Sequence, residues 1–324
     1  MFRDKIILLT GGTGSFGQKF TEVMLTKYHP KIIRIFSRDE LKQWEMQRKF
    51  NNDEVLRFFI GDIRDKDRLH RAIEGVDIVI HAAALKQVPA CEYNPFEAVK
   101  TNIGGAQNII DISIEHNIPK VIALSTDKAV SPINLYGATK LCMERLFIAG
   151  NAYIGPKRQT RISCVRYGNV VGSRGSVIPL FKEQGAKGKI TITHKSMTRF
   201  WLTLEQGVEF VIKCVEMMQG GEVFVPKIPS MSVIDLAGAI SPGCELEFTG
   251  IRPGEKINEC LLTEDEARHS KEFEDFFVIE PEIYFGYSKA WEGGKVLPEG
   301  FKYSSDKNDK WLTKEELQRM AGEC

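Results

Sequence analysis

The chain has 324 residues, 43% of them hydrophobic and 27% charged, with 44 Lys and Arg against 43 Asp and Glu for a formal net charge of +1. That size suits one large nucleotide-binding domain with a smaller companion, and the charge balance leaves no electrostatic footprint for nucleic acid or an acidic membrane surface. Seven cysteines without a Cys-x-x-Cys pair argue against a disulfide framework or zinc ribbon, the histidines show no metal spacing, no apolar run nears the ~20 residues of a membrane span, and Ile6–Leu9 is too short for a signal-peptide core, so a cytoplasmic protein with no metal site is expected.

Short β-branched runs alternate with helical patterns through the first half. Strands are predicted at Lys5–Leu9, Ile32–Phe36, Leu56–Ile60, Asp77–His81, Val121–Ser125 and Ile162–Tyr167. Between the fourth and fifth, Val99, Ile103, Ala106, Ile110 and Ile114 form an apolar stripe at helical spacing. Strands alternating with helices predict a doubly wound parallel sheet over residues 1–168. Beyond it, Gly and Pro punctuate short segments at 172–175, 226–229, 242–243 and 253–254. Residues 169–324 read as a smaller α+β lobe, with about 204–225, including a helix at Leu204–Met218, returning to the first domain. Lys310–Met320 reads as a last amphipathic helix packed on the body.

The first strand runs into Thr10-Gly11-Gly12-Thr13-Gly14-Ser15-Phe16-Gly17, with glycines at 11, 14 and 17. Such glycines allow a tight turn, close backbone approach to a pyrophosphate and tight helix–strand packing, while the helix N-terminus offers N–H donors. The second strand ends in Ser37-Arg38, with Lys42 close behind. A hydroxyl and two cations suit a 2′-phosphate and favour NADP over NAD. Asp39 caps the following helix on this reading. Asp62 either faces the adenine amine beside Ile63 or caps the helix predicted at Arg64–Ile73. The fourth strand ends in His81-Ala82-Ala83-Ala84, small residues that let the backbone pass beside a cofactor, with His81 itself read as a satisfied core histidine. Lys86, just beyond, lies where it can reach cofactor or substrate.

Ser125-Thr126-Asp127-Lys128 ends the fifth strand, and Tyr136-Gly137-Ala138-Thr139-Lys140 follows. Tyr136 and Lys140, four residues apart, project from one helix face, where a lysine ammonium lowers the phenol pKa and prepares it as a base.

The glycine triplet, the strand-end Ser/Thr and the Tyr136/Lys140 pair resemble the extended short-chain dehydrogenase/reductase superfamily, in its nucleotide-sugar branch. Stretches including 37–43, 81–89, 124–140, 166–181, 197–203, 224–230, 251–259 and 273–277 resemble the inverting UDP-N-acetylglucosamine 4,6-dehydratases that begin pseudaminic acid synthesis for flagellin glycosylation. The Asp127-Lys128 doublet separates this chain from retaining dehydratases, which carry Asp-Glu there, and from 4-epimerases, which lack an acid–base pair. Large membrane-bound relatives share the doublet but carry Met where Tyr136 stands.

The resemblance implies a Rossmann-like fold, UDP-N-acetylglucosamine as substrate, tightly held NADP and a homo-oligomer, commonly a hexamer. It implies cofactor contacts from Gly11, Thr13, Gly14, Ser15, Phe16, Gly17, Ser37, Arg38, Lys42, Asp62, Ile63, Ala82, Ala83, Lys86, Ser125, Tyr136 and Lys140. Catalysis is expected of Tyr136 with Lys140 at C4, neutral Lys128 as the C5 base and Asp127 as the acid at the 6-hydroxyl. Substrate contacts are expected from Lys86, Asn169, Arg199 and Arg252, and from Glu255 unless a cation claims it in a salt bridge. Another nucleotide-sugar dehydratase, a 4-epimerase and a non-catalytic NADP-binding regulator remain as alternatives.

Overall fold

The computed structural model describes residues 1–155, 157–171, 177–283 and 290–322, so the glycine-bearing stretch 172–175 and Cys324 fall outside the described residues. The first half alternates as expected: β1 (Ile6–Thr10), α1 (Ser15–Val23), β2 (Ile32–Ser37), α2 (Glu40–Lys49), β3 (Leu56–Ile60), α3 (Lys66–Ile73), β4 (Ile78–His81), α4 (Gly105–Glu115), β5 (Lys120–Thr126), α5 (Leu135–Gly150) and β6 (Arg161–Tyr167). The second half adds α6 (Leu204–Met217), β7 (Val223–Pro226) and β8 (Phe276–Ile279) to the same body. A capping box starts α6, with Thr203 and Gln206 satisfying each other's backbone N–H groups.

Seven strands run parallel in the order β3-β2-β1-β4-β5-β6-β7, one more than predicted. Beyond β7 the sheet turns antiparallel through β8, Ser270–Glu272 and Lys295–Val296. Strands β4 and β6 are buried along nearly their whole length, Arg166 included, as a sheet covered on both faces requires. A separate apolar cluster, including Ile178, Phe181, Ile190, Trp201, Leu236 and Leu317, forms the core of the second lobe.

Three local expectations are corrected. Between Pro95–Val99 and α4 the helix widens over Lys100–Gly104, and the extra backbone per turn rotates the face. Val99 is left exposed while Thr101 and Asn102 turn inward, so the stripe is not continuous. Asp65, not Asp62, caps α3 by accepting from the Arg68 N–H. The last helix starts at Lys314 rather than Lys310, because residues 310–312 run beside Ser230 through two backbone hydrogen bonds of 2.8 and 2.9 Å.

A buried arginine ties α5 and β6 to the second half of the chain. Arg166 on β6 grips Glu144 of α5 at 2.7 and 3.0 Å and Glu266 of the second half at 2.8 and 3.1 Å. Burial pushes the Glu266 carboxyl up, but Arg166 more than offsets it and holds the group ionised.

Glu222, which leads into β7, is buried with its carboxylate accepting from the Gln219 N–H at 2.6 Å. Burial pushes this carboxyl up to about 7. Its folded-state pKa exceeds the unfolded one, so its contribution to stability is complete below the unfolded pKa and is lost as pH rises to about 7. Glu222→Gln is expected to stabilise the protein at pH 8 by about 1–3 kcal/mol and to change little at pH 4.5. Urea unfolding at both pH values checks this, and equal effects at the two would refute it.

Candidate active site

A cleft of about 680 Å³ opens at the carboxyl ends of the parallel strands, where doubly wound sheets bind ligands. Thr13, Gly14, Ser15 and Phe16 line it at the start of α1, which Gly14 caps without a side chain. Gly11 has φ +67°, and a Cβ there would lie 2.8 Å from Ala83 N, so only glycine lets the loop after β1 touch the loop after β4. Gly17 sits behind, against Gly12, off the cleft wall.

Ser37, Arg38 and Lys42 line the far end. Buried Gln43 donates its amide to Ser37 Oγ at 3.0 Å, which frees the Ser37 hydroxyl proton for an acceptor in the cleft. Asp39 caps α2 as expected and pairs with Lys42 at 2.6 Å. Asp62, with Ile63 on the same wall, is held by Arg64 at 2.6 and 2.9 Å and lies 3.8 Å from Arg38. Ala82, Ala83 and Lys86 form the next stretch of wall. His81 is a core histidine, 2.8 Å from Thr10 Oγ1, and burial pushes its imidazole down to about 3.

Asn134 fixes the start of α5 by accepting from the Gly137 N–H at 2.8 Å. Two buried side chains of that helix, Tyr136 and Lys140, reach the cleft. A Cβ on Gly137 would lie 2.1 Å from Lys128 O, so α5 rests on the backbone of the turn that carries Asp127 and Lys128. Lys140 Nζ donates to Leu124 O at 2.7 Å, and burial lowers this lysine to about 8.

The phenol differs from expectation. Burial pushes Tyr136 up to about 12, opposed by the Lys128 ammonium and a hydrogen bond with Thr126. The cation pulling on it is therefore Lys128, while Lys140 is aimed at the strand carbonyl.

Lys128 Nζ lies 3.0 Å from Asp127 Oδ1, 3.4 Å from Asn169 Oδ1 and 3.5 Å from Glu259 Oε1. Burial works against its charge, yet Asp127 and Glu259 outweigh that and hold the ammonium well above the usual lysine range. The depressed value expected of a resting base is thus corrected: two carboxylates replace the dry or cationic surroundings that would neutralise a lysine. Asp127 is fully buried behind the wall and also accepts from Thr126 at 2.8 Å. Ser125 Oγ lines the cleft, buried, with no hydrogen-bond partner among the described residues.

The predicted substrate residues divide. Lys86 and Asn169 are on the wall. Lys86 is lowered by burial and by Lys128. Arg199 lies off the wall, its guanidinium donating to the carbonyls of Thr198, Ile257 and Lys256 at 2.7, 2.8 and 3.0 Å. Glu255 sits 3.8 Å from Arg199 and accepts from the exposed Arg252 backbone at 3.3 Å, which is the salt-bridge alternative. Among the described residues no group of His, Cys, Asp and Glu has metal-ligating geometry.

Four contributors escaped the sequence reading: Gln43, Thr101, Trp201 and Glu259. Thr101 and Trp201 line the cleft, and their side-chain Oγ1 and Nε1 are buried without a described partner. Only the Gly104-Gly105 pair hinted at the irregular turn that brings Thr101 inward.

A family model described as "Polysaccharide biosynthesis protein" matches residues 7–281. The chain is 52% identical over 326 residues to "UDP-N-acetylglucosamine 4,6-dehydratase (inverting)" of Campylobacter jejuni (strain 81-176), covering 98% of this chain and 97% of that protein. It is 43% identical over 330 residues to "UDP-glucose 4-epimerase" of Rickettsia conorii, covering 99% and 96%. Among solved structures, that of Pen from Bacillus thuringiensis superimposes with a TM-score of 0.88 at 40% identity, over 100% of this chain and 99% of that one.

Proposed function

The chain belongs to the polysaccharide biosynthesis protein family, and from that premise we propose that it converts UDP-N-acetylglucosamine to UDP-2-acetamido-2,6-dideoxy-L-arabino-hex-4-ulose, as a configuration-inverting 4,6-dehydratase. One observation carries this reading over the epimerase alternative. Asp127 and Lys128 stand as a contacting acid–base pair, Lys128 on the wall of the same cleft as Tyr136 and Asp127 buried directly behind it, and C4 chemistry alone has no use for them.

The cleft fits a nicotinamide dinucleotide, because the Gly11 cradle admits no Cβ and Ser125 Oγ is an unused buried donor and acceptor. Such a cofactor supplies a redox couple that takes hydride from C4 and returns it to C6. Ser37, Arg38 and Lys42 would hold its 2′-phosphate, which makes NADP the fitting form. Arg38→Asp is expected to weaken NADP binding about 10- to 100-fold while barely changing NAD binding, since a charge-assisted contact becomes a repulsion. Fluorescence titration with both cofactors checks this, and equal wild-type affinities would sink the assignment.

Tyr136, once ionised to tyrosinate, accepts the 4-hydroxyl proton as C4 is oxidised. The 4-ketone acidifies the C5 hydrogen, which is inert in the hexose itself. Lys128 becomes a base by passing one proton to Asp127, 3.0 Å away, and that transfer arms Asp127 to protonate the departing 6-hydroxyl. Lys128 then takes the C5 proton, water leaves, and reprotonation of C5 on the other face inverts the centre. Asn169 and Lys86 would meet the nucleotide sugar along the wall. On this reading, which rests on the sequence resemblance, the protein works as a cytoplasmic homo-oligomer and its product enters pseudaminic acid synthesis for flagellin glycosylation. Incubation with UDP-N-acetylglucosamine followed by NMR tests the reading: an L-arabino 4-keto-6-deoxy sugar supports it, and a C4 epimer or a D-configured product overturns it.

A further inference from the structure

One buried carboxylate beside the acid–base pair has no part in the chemistry above. Glu259 is 2% exposed, and its Oε1 lies 3.5 Å from Lys128 Nζ, opposite the 3.0 Å contact with Asp127. It belongs to the second half of the chain, yet its backbone is fixed. Its N–H donates to Ser305 Oγ at 2.9 Å and its carbonyl accepts from Ser305 N at 2.8 Å. Arg199 Nε and Lys256 Nζ each lie 3.9 Å from the carboxylate, too far for a hydrogen bond, and Oε2 has no hydrogen-bond partner among the described residues. A carboxylate buried at this cost, with its nearest cation a reacting group, is placed for that cation.

We infer that Glu259 is a positioning residue for the elimination step, holding the Lys128 ammonium against Asp127 so that the pair enters the reaction with the single proton it has to exchange. The inference rests on the dehydratase reading and deepens it. Removal of the C5 proton needs Lys128 neutral, and loss of the 6-hydroxyl needs Asp127 protonated. Both follow from one proton moved between them. If that proton escapes to solvent, Lys128 can still act as a base but Asp127 has nothing to donate. Glu259 keeps the proton on the pair, and because it rides on the segment carrying Arg252 and Glu255, it also links the elimination turn to the second lobe. The charged groups facing it are Lys128 from the turn after β5, Arg199 from Thr198–Leu202 and Lys256 from its own segment, while Asp127 and Tyr136 act on Lys128 and Glu255 pairs with Arg199.

The test compares wild type, Glu259→Gln and Glu259→Asp as full-length protein loaded with NADP and given UDP-N-acetylglucosamine in deuterated water. Three quantities are read: deuterium entering C5, dehydrated product, and C4 oxidation seen as transient absorbance of reduced cofactor. Glu259→Gln is expected to lower C5 exchange and product about 10- to 100-fold with KM and C4 oxidation nearly unchanged, as misplacing a reacting group does. Its alkaline limb of kcat should move toward neutral pH, since the pair then gives up its proton more readily. Glu259→Asp should recover much of the exchange although Gln is the closer match in shape. A purely structural role predicts the reverse order and a loss of C4 oxidation in step with thermal stability, and that result would overturn the inference. A dehydrating wild type matched by Glu259→Gln removes this inference alone, whereas a wild type that only epimerises C4 removes the dehydratase reading with it.

Discussion

Tyr136→Phe is expected to lower the rate of C4 oxidation by about 10²–10⁴ while leaving UDP binding within about twofold. The phenol reaches the cleft from the first turn of α5, where the Asn134 cap and the Gly137 contact fix its origin. Removing one oxygen leaves both supports intact, so the loss falls on proton transfer rather than on fold. Burial holds the phenol at about 12, so tyrosinate, the form that can take the 4-hydroxyl proton, is scarce near neutral pH and the C4 step should quicken as pH rises. Stopped-flow absorbance of the cofactor measures the step, and calorimetry with UDP measures binding. Unchanged turnover would show that another group is the base.

Lys128→Ala is expected to stop dehydration, with a loss of about 10²–10⁴ in product formation and of solvent deuterium at C5. C4 oxidation should persist, because Tyr136 and Lys140 stay in place, so reduced cofactor should accumulate instead of passing transiently. The fold should survive. Lys128 has a side chain 28% exposed, and Arg199 and Lys256 remain near Glu259, one of the two carboxylates it leaves. Normal dehydration by this variant would assign the base elsewhere. A product with retained C5 configuration in the wild type would place the chain with the retaining enzymes.

What the sequence made legible was local. Six of the seven parallel strands, the glycine turn, the Asp39 cap and the Tyr136/Lys140 face all follow from spacing within a dozen residues. The seventh strand, β7, reads like any short apolar run, and only its pairing with β6 reveals it. The start of the last helix was readable: Thr313 and Glu316 form a capping box, which Lys310 does not. Pairings across the lobes were not readable. Lys128 and Glu259 are separated by 131 positions, and no periodicity records that they meet at 3.5 Å. The Lys128 charge state is legible in part: Asp127 beside it in sequence is the larger of the two carboxylate influences that hold the ammonium, and only Glu259 lies outside the local sequence. Arg199 has the composition of a ligand-binding arginine, but the carbonyls of Thr198, Lys256 and Ile257 take up its donors.

The contact of Gly137 with the Lys128 carbonyl bears on how this scaffold diversifies. It sets the Tyr136 phenol and the Asp127–Lys128 pair on one piece of backbone, at a separation no side-chain exchange at Asp127 or Lys128 disturbs. It also marks Gly137 as the position an engineer must leave alone, since any larger residue there would separate the two halves of the cycle at once.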